Sequence, residues 1–537
     1  MPEAEQTRRT MDERTTKGSW VRTLTLQGPS MADNTGDADR LLHQLRSELG
    51  IKDISLDLAL MQSLPRILRQ SDFSVQCTVF SAGNGWVVTG VEPRVPEASP
   101  LGLAVDLGTT RFVLQILDLT TGQVQARKSF DNPQVMIGPD ILTRIHHGST
   151  PEGRQELKEL IVEGINTGLE ELRREHGLNP GQIRNIAVAG NTAMIHLFLG
   201  LQTQAMIREP YIPAANEFDL ISASDLGLNA HALARVYCFP NVGSYFGGDL
   251  TAGIVYSGIT EQDQICILVD VGTNAEVVLG NRDWLIVCAG AAGPALEGGM
   301  SSIGKQAGPG IIDQVRIDPE SFSFQVHTIG DLPPEGICGS GVIDLAAELF
   351  KCGLLDFRGK FVPDLCPERF VEIDGIQYLI LVPDDEAANG RRLLFGQPEV
   401  DSLIRSKAAM FTILETLLLS VGLGFEDLHS FFVAGTFGHF INPGSAVTLG
   451  MLPDLPLETY QSLGNSSLEG ATLFLQDAEV LDKVRAVKQK ITYLELNVNQ
   501  EFMNRFSAAK FLPHTDRERF PSVSTAFDRV DRSMVDG

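Results

Sequence analysis

Residues 101–122 read LGLAVDLGTTRFVLQILDLTTG, and residues 265–281 read ICILVDVGTNAEVVLGN. In each, an apolar run enters Asp-x-Gly-Thr and a second run follows: Asp106-Leu107-Gly108-Thr109-Thr110 in the first, Asp270-Val271-Gly272-Thr273-Asn274 in the second. Short apolar runs bounded by turn residues read as strands, so each copy is a β-hairpin with a tight turn. The turn chemistry suits a phosphate. Gly108 and Gly272 lack a Cβ, which lets backbone N–H groups approach an anion. Thr109 and Thr273 add hydroxyl donors, and Thr110 and Asn274 complete the two candidate binding turns. Asp106 and Asp270 are candidate catalytic and metal-binding carboxylates, since Mg²⁺ takes oxygen ligands directly or through water. Two copies, both between β-runs, point to a duplicated α/β unit.

Composition bounds what surrounds the hairpins. A chain of 537 residues is expected to hold several domains, because single cores rarely grow past about 250–300 residues. Hydrophobic content of 43% and charged content of 21% are globular values. A net charge of −25 argues against a nucleic-acid partner, whose phosphates attract a basic face. No apolar run reaches the ~18 residues needed to span a bilayer, and MPEAEQTRRTMDERTTKGS has no secretory h-region, so a cytoplasmic protein with no membrane partner is expected. The seven cysteines stand at 77, 238, 266, 288, 338, 352 and 366, with no Cys-x-x-Cys pair. That spacing excludes the usual zinc-ribbon and ferredoxin patterns, and scattered thiols fit a reducing compartment.

Along the chain, residues 1–38 are polar and aperiodic and read as a disordered tail, with Met31 an alternative first residue. Residues 39–98 form a small linker module. Leucines across 39–70 suggest helix, FSVQCTVFSAGNGWVVTGVE at 73–92 alternates like strands around Gly83-Asn84-Gly85, and PRVPEASP closes the module. A first lobe spans 100–260, with a helix at 151–176, and a second spans 261–515, with a long helix at 399–422. Residues 516–537 return to polar disorder. Alternating strands and helices mean an α/β fold.

The paired hairpins resemble the acetate kinase, sugar kinase, heat-shock chaperone and actin superfamily. That resemblance implies two ribonuclease H-like lobes around a nucleotide cleft, with ATP and Mg²⁺ as cofactors. It gives roles to four further segments. Asp249, at the helix start GGDLTAGIVYSGI, matches an acidic residue that orients the attacking water or hydroxyl; alternatively it is a plain N-cap. At a helix N-terminus its pKa is expected to be low. AGAAGPALEGGM at 289–300 resembles the loop that closes on phosphate and ribose, with Gly293, Glu297 and Gly298 as candidate contacts. Val433–Gly438 resembles the adenosine segment, through Gly435 and Gly438, and Ala446–Gly450 resembles the small-residue helix crossing the interlobe hinge. Three other motifs are set aside. Gly299–Lys305 has Walker A spacing, but Gln306 replaces the Mg²⁺-binding Ser/Thr and AGPG follows where a helix must start. Gly336–Gly341 is either a nucleotide contact or a helix-opening loop, and His146-His147 lacks a third metal ligand.

Several stretches are more specific: FDNPQVMIGPDILTRI, IAVAGNTAMIHLFLG, AGPALEGGM, GICGSGVIDLAAELF, AGTFGHFINPGSAVTLGMLPDLP and YLELNVNQEFMNRF. From about residue 40 to 515 the chain resembles the reductive activators of corrinoid proteins. The resemblance implies a homodimer that uses ATP to help return a Co(II) corrinoid protein to Co(I) for methyl transfer. Activators of this kind carry a ferredoxin domain with a [2Fe–2S] cluster, whereas residues before 100 hold only Cys77. No iron–sulfur cluster is therefore expected, and the electron donor is expected to be a separate low-potential carrier such as a ferredoxin. A second departure is Ala434-Gly435, where the family tends to have Gly-Gly. Two other functions stay open from sequence: a small-molecule kinase of the same superfamily, and a non-catalytic, nucleotide-gated binding module.

Overall fold

The computed structural model describes residues 18–94, 99–272, 275–290, 303–435, 442–494 and 500–526. Two units emerge: Met1–Tyr256 with Ser466–Gln489, and Ser257–Asn465 with Lys490–Gly537.

The first unit opens with a small α+β module. Its strands are β1 (Val21–Thr25), β2 (Ile54–Leu56), β3 (Ser74–Ser81) and β4 (Trp86–Pro93), in the order β1-β3-β4-β2. Helices α1 (Asp37–Leu49) and α2 (Leu58–Gln70) bury Leu41, Leu45, Leu60, Leu64 and Leu68 against it, at the three-to-four-residue spacing of one helix face. The expected single helical stretch over 39–70 is therefore broken. Gly50 ends α1 in the left-handed conformation, and the alternating burial of Ile54 and Leu56 makes an edge strand instead. The expected tail 1–38 also shortens. Val21–Thr25 pairs antiparallel with β3, and Trp20 is fully buried, its ring edge-on to Phe80 at 4.9 Å and its Nε1–H donating to the Phe474 carbonyl at 2.7 Å. One buried indole with a satisfied N–H outweighs the polar composition around it.

The rest of the first unit is a sheet of β5 (Leu101–Leu107), β6 (Arg111–Asp118), β7 (Val124–Asp131), β8 (Ile183–Gly190), β9 (Ile221–Ser222) and β10 (Arg235–Cys238). Their order is β7-β6-β5-β8-β10-β9. The hairpin strands β5–β6–β7 pair antiparallel, while β5–β8 and β8–β10 are parallel. Helices α3 (Ile141–His147), α4 (Pro151–His176), α5 (Thr192–Leu199), α6 (Ala223–Leu226), α7 (Gly248–Ser257), α11 (Ser466–Gln476) and α12 (Val480–Lys490) complete it, α8–α10 lying in the second unit. Thr150 caps α4 by accepting from the Gly153 N–H, and Leu157, Ile161, Ile165, Leu169 and Leu172 form its buried stripe.

The second unit repeats this sheet. Its strands are β11 (Cys266–Val271), β12 (Ala275–Gly280), β13 (Leu285–Gly290), β20 (Ser430–Ala434), β21 (Tyr460–Gly464) and β22 (Ile491–Tyr493), in the order β21-β20-β11-β12-β13-β22. Again the first three pair antiparallel, and β11–β20 and β20–β21 are parallel. Both Asp-x-Gly-Thr motifs thus end the central strand of a ribonuclease H-like sheet, the duplication expected from sequence. Between β13 and β20 lie β14 (Ile311–Ile317), β15 (Phe324–Thr328) and β16 (Gly336–Ile337) in one sheet, and β17 (Phe370–Ile373), β18 (Ile376–Val382) and β19 (Leu393–Gly396) in another. Helices α8 (Gly339–Cys352) and α9 (Gln397–Leu419) lie in the same stretch, and α10 (Pro443–Leu449) and α13 (Gln500–Ala509) follow.

Two further expectations change. The expected disordered tail from 516 is ordered through 526, since Phe520 is buried and Ser522 bonds the Asp454 carboxylate through its N–H at 2.8 Å and its hydroxyl at 2.7 Å. Residues 446–450, expected to form the connecting helix, stay in the second unit, where α10 packs on α8. The helix that returns to the first unit is α11. Its close packing on α7 depends on missing side chains: a Cβ on Gly253 would sit 2.7 Å from Ser466 Oγ, and one on Gly470 would sit 2.2 Å from the Ala252 carbonyl oxygen.

Candidate functional site

In the first unit, Asp106, Gly108, Thr109 and Thr110 converge with residues from four other elements. The antiparallel register brings Leu107 opposite Phe112, so Gly108 begins a turn in which a Cβ would lie 2.4 Å from the Arg111 carbonyl oxygen. Only glycine fits there. Ser467, in the first turn of α11, donates its hydroxyl to Asp106 Oδ1 at 3.0 Å. Asn191 caps α5 by accepting from the Met194 N–H at 3.0 Å and donates its amide to Thr109 Oγ1 at 2.9 Å. Behind the turn, Asn132 donates its amide to the carbonyls of Gly108 and Thr109 at 3.1 and 2.9 Å. Arg144 of α3, fully buried, donates to the Thr109 carbonyl at 2.6 Å.

Asp249 is the second residue of α7. Gly247 ahead of it lies so near α5 that a Cβ would fall 2.4 Å from Asn191 Cα. The expected low pKa is overturned. Packing around the half-buried carboxyl strips its hydration, opposed by the Leu250 N–H, which it accepts at 2.8 Å, and helped by the negative charge of Asp106; its pKa is pushed up to about 7. One N–H at the start of a ten-residue helix does not offset the lost water. The group is thus able to exchange a proton near neutral pH, beyond the pure orienting role expected of a low-pKa cap.

In the second unit, Asp270 is flanked in register by Glu276 on β12 and Ala434 on β20. Gly435 follows with φ +86°, and a Cβ there would lie 2.6 Å from the Val271 carbonyl oxygen and 2.7 Å from Asp270 Oδ1. The structure therefore brings the two predicted residues Asp270 and Gly435 together, and an L side chain at 435 would be both strained and obstructed. Gly272 is exposed at the end of β11. Thr273, Asn274, Gly293, Glu297, Gly298 and Gly438 lie outside the described residues.

The set-aside motifs resolve locally. Gly336–Gly341 is buried and opens α8, with a Cβ on Gly341 falling 2.5 Å from the Ile312 carbonyl oxygen, so its glycines serve packing. Lys305 pairs with Glu335 at 3.2 Å and is followed by a turn into β14, not by a helix. His147 meets Glu156 at 2.7 Å at the surface end of α3. All seven cysteines are buried and none is in a disulfide, and among the described residues no three or more His, Cys, Asp or Glu side chains gather as a metal site. No helix of the described residues is long and apolar enough to cross a membrane.

Sequence reasoning missed Asn132, Arg144, Asn191 and Ser467 as turn-holding residues. Asn132 and Arg144 stand in the quoted FDNPQVMIGPDILTRI, but strand and turn patterns carry no signal that a side chain 24 or 35 residues away returns to the hairpin.

Comparison with known proteins follows the same division. Residues 14–98 match the RACo linker region, 101–262 the RACo middle region, and 264–524 the C-terminal domain of RACo, the ASKHA domain. The corrinoid activation enzyme RamQ of Eubacterium limosum is 30% identical over 436 residues, covering 80% of this chain and 73% of RamQ. The [Co(II) methylated amine-specific corrinoid protein] reductase of Methanosarcina barkeri is 24% identical over 439 residues, 75% of each. A solved structure, the reductive activator for corrinoid, iron–sulfur protein, superposes with a TM-score of 0.85 at 35% identity, covering 95% of this chain and 84% of that one. The chain belongs to the family of reductive activators of corrinoid proteins.

Proposed function

We propose that this protein is a cytoplasmic, ATP-dependent activator that promotes reduction of a Co(II) corrinoid protein to the Co(I) state used in methyl transfer, with electrons from a separate low-potential carrier. The observation that carries the reading is family membership across linker, middle and C-terminal regions together, with relatives whose names describe corrinoid activation and Co(II) corrinoid reduction.

The residues fit a magnesium nucleotide. A Cβ at Gly108 or Gly435 would collide with backbone at the two strand ends, so both positions stay bare glycine, and Asp106 and Asp270 offer carboxylate oxygens for metal-bound water. When bound, ATP supplies the free energy of its hydrolysis. By the family resemblance, Gly108, Thr109 and Thr110 of the first unit would hold phosphate, as would Gly272, Thr273 and Asn274 of the second. By the same resemblance, Gly293, Glu297 and Gly298 would serve phosphate and ribose, and Gly435 and Gly438 the adenosine. Asp249, its pKa pushed up to about 7, would accept the proton of the attacking water. Ser467 holds the Asp106 carboxylate in one orientation. The seven cysteines of this sequence are buried, and the electrons come from a separate low-potential carrier such as a ferredoxin. The working assembly is a homodimer.

The test is spectroscopic. A Co(II) corrinoid protein, a chemical reductant or reduced ferredoxin, and this protein are combined with and without Mg-ATP. Accumulation of Co(I) only when this protein and Mg-ATP are both present is the expected result, together with an ATPase rate raised by the Co(II) protein. An unchanged cobalt spectrum, with phosphate transferred to a metabolite instead, replaces this reading with a small-molecule kinase.

A further inference from the structure

The Gly108–Thr110 turn is held from behind. Asn132 Nδ2 takes the carbonyls of Gly108 at 3.1 Å and Thr109 at 2.9 Å, Arg144 Nη1 takes the Thr109 carbonyl at 2.6 Å, and the Asn132 backbone N–H takes the Thr110 carbonyl at 2.8 Å. The orientation of the Asn132 amide is set by its other end, since Oδ1 accepts from the Gln134 N–H at 2.9 Å. A peptide group is planar and trans, so a carbonyl drawn to one side turns the next N–H to the other. With the carbonyls of Gly108 and Thr109 drawn toward Asn132 and Arg144, the N–H groups of Thr109 and Thr110 face away from them, together. Successive N–H groups turned the same way form an anion-binding concavity. Asn191 extends the arrangement. It donates to Thr109 Oγ1 at 2.9 Å, so the threonine keeps its own proton to give away.

Arg144 also carries a charge that no ion pair balances, the Asp140 carboxylate acting on it only through space. It is fully buried, yet its partners are neutral oxygens: the Gly138 carbonyl at 2.9 Å, the Thr109 carbonyl and, at 3.4 Å, Gln134 Oε1. No carboxylate of the described residues forms an ion pair with it, and its Nη2 is buried without a partner. Burying a lone cation is costly unless an opposite charge sits nearby. An anion on the far side of the turn would supply that charge.

We propose that Arg144 and Asn132 are positioning residues that convert the Gly108–Thr110 turn into the phosphate-binding element of the first unit, recognising the polyphosphate of a nucleotide rather than its base. The proposal rests on the nucleotide reading above. Its test separates phosphate from base by measuring the affinities of Mg-ATP and of adenosine for the full chain and for Arg144→Gln, Arg144→Lys and Asn132→Ser. Serine keeps the cap on the Gln134 N–H but lacks the amide donor. Removing a charged donor predicts a roughly tenfold or greater loss of Mg-ATP affinity in Arg144→Gln. Asn132→Ser shifts it in the same direction, Arg144→Lys recovers part, and adenosine affinity stays within about twofold in all three. Equal losses for Mg-ATP and adenosine make both residues merely structural and overturn the proposal. So does unchanged Mg-ATP affinity in folded variants while the parent binds it. A parent that binds no nucleotide overturns the nucleotide reading as well. If Arg144→Gln does not fold, Arg144→Lys and Asn132→Ser decide the matter by the same two affinities.

Discussion

Replacing the Asp249 carboxyl by an amide should make the nucleotide-free, metal-free protein more stable at pH 8 and nearly inactive. That carboxyl titrates near 7 in the folded chain, against an ordinary value of 3.8. Its folded pKa is raised, so its contribution is fully present below the unfolded value and is lost as pH rises through the folded one. Between these limits the folded state binds more protons, and stability falls by about 1.36 kcal/mol per pH unit. Integrated from pH 5 to pH 8, the loss is about 2.5 kcal/mol. The amide of Asp249→Asn does not titrate and still offers an oxygen to the Leu250 N–H. The stability difference between Asp249→Asn and the parent should therefore widen by about that amount from pH 5 to pH 8. Denaturant melts in EDTA at the two pH values, followed by tryptophan fluorescence, measure it, since Trp20 lies in the same unit. Turnover should fall by ~10²–10⁴, with nucleotide affinity within a few-fold of the parent. A variant that loses stability equally at both pH values, with unchanged kinetics, would sink the reasoning and leave Asp249 an ordinary cap.

Asp106→Asn and Asp270→Asn should each reduce the thermal stabilisation given by Mg-ATP, which for a ligand at ~100 times its Kd is about 2.7 kcal/mol, and EDTA should abolish it; an undiminished shift in both variants makes the hairpins structural only. Gly470→Ala places a methyl 2.2 Å from the Ala252 carbonyl oxygen and should cost about 1–3 kcal/mol, read as a lowered melting temperature with the α7–α11 contact loosened. Trp20→Ala removes a fully buried indole and its bond to Phe474 and should cost about 3–5 kcal/mol in urea unfolding; a cost near zero would return residues 18–26 to the tail.

What could be read from the chain was what recurs locally. The two hairpins, the helix at 151–176 and the strand–Asn–helix at 183–199 each carry their own periodicity and punctuation, and each forms where expected. Tertiary partners were not legible. Residues 18–26 look polar, and the rings of Phe80, Trp86 and Phe474, the last 454 residues from Trp20, pack on Trp20. The connecting helix was sought at 446–450 because small residues cluster there, while α11 hides one glycine at the critical contact, Gly470 against Ala252. The Asp249 pKa failed for a related reason. Position in a helix is visible in sequence, but loss of water around a carboxyl depends on Gly247, α5 and β5 closing in from elsewhere.

These surprises fall at equivalent strand ends of the two units. A carboxyl titrating near 7, a buried guanidinium without an ion pair, and a glycine in the left-handed region against a carboxylate all sit at the ends of β5 and β11 or on residues that touch them. The first two are locally unfavourable, since burial opposes both a carboxylate and a guanidinium without an ion pair. Elsewhere the same two sheets bury continuous Leu, Ile and Val runs with no such cost. A hairpin selected only for its fold has no reason to gather such costs at one end, because any substitution relieving them would stabilise it. The cost is intelligible if a ligand that is anionic at one point and cationic at another completes the site, since its anion opposes Arg144 and its cation neutralises Asp106. The two copies carry this arrangement with different neighbours, Ser467 beside Asp106 and Gly435 beside Asp270. Asp106 and Asp270 are thus supported by unrelated parts of the chain, so what the two strand ends share is the carboxylate and the glycine two residues on, not their packing.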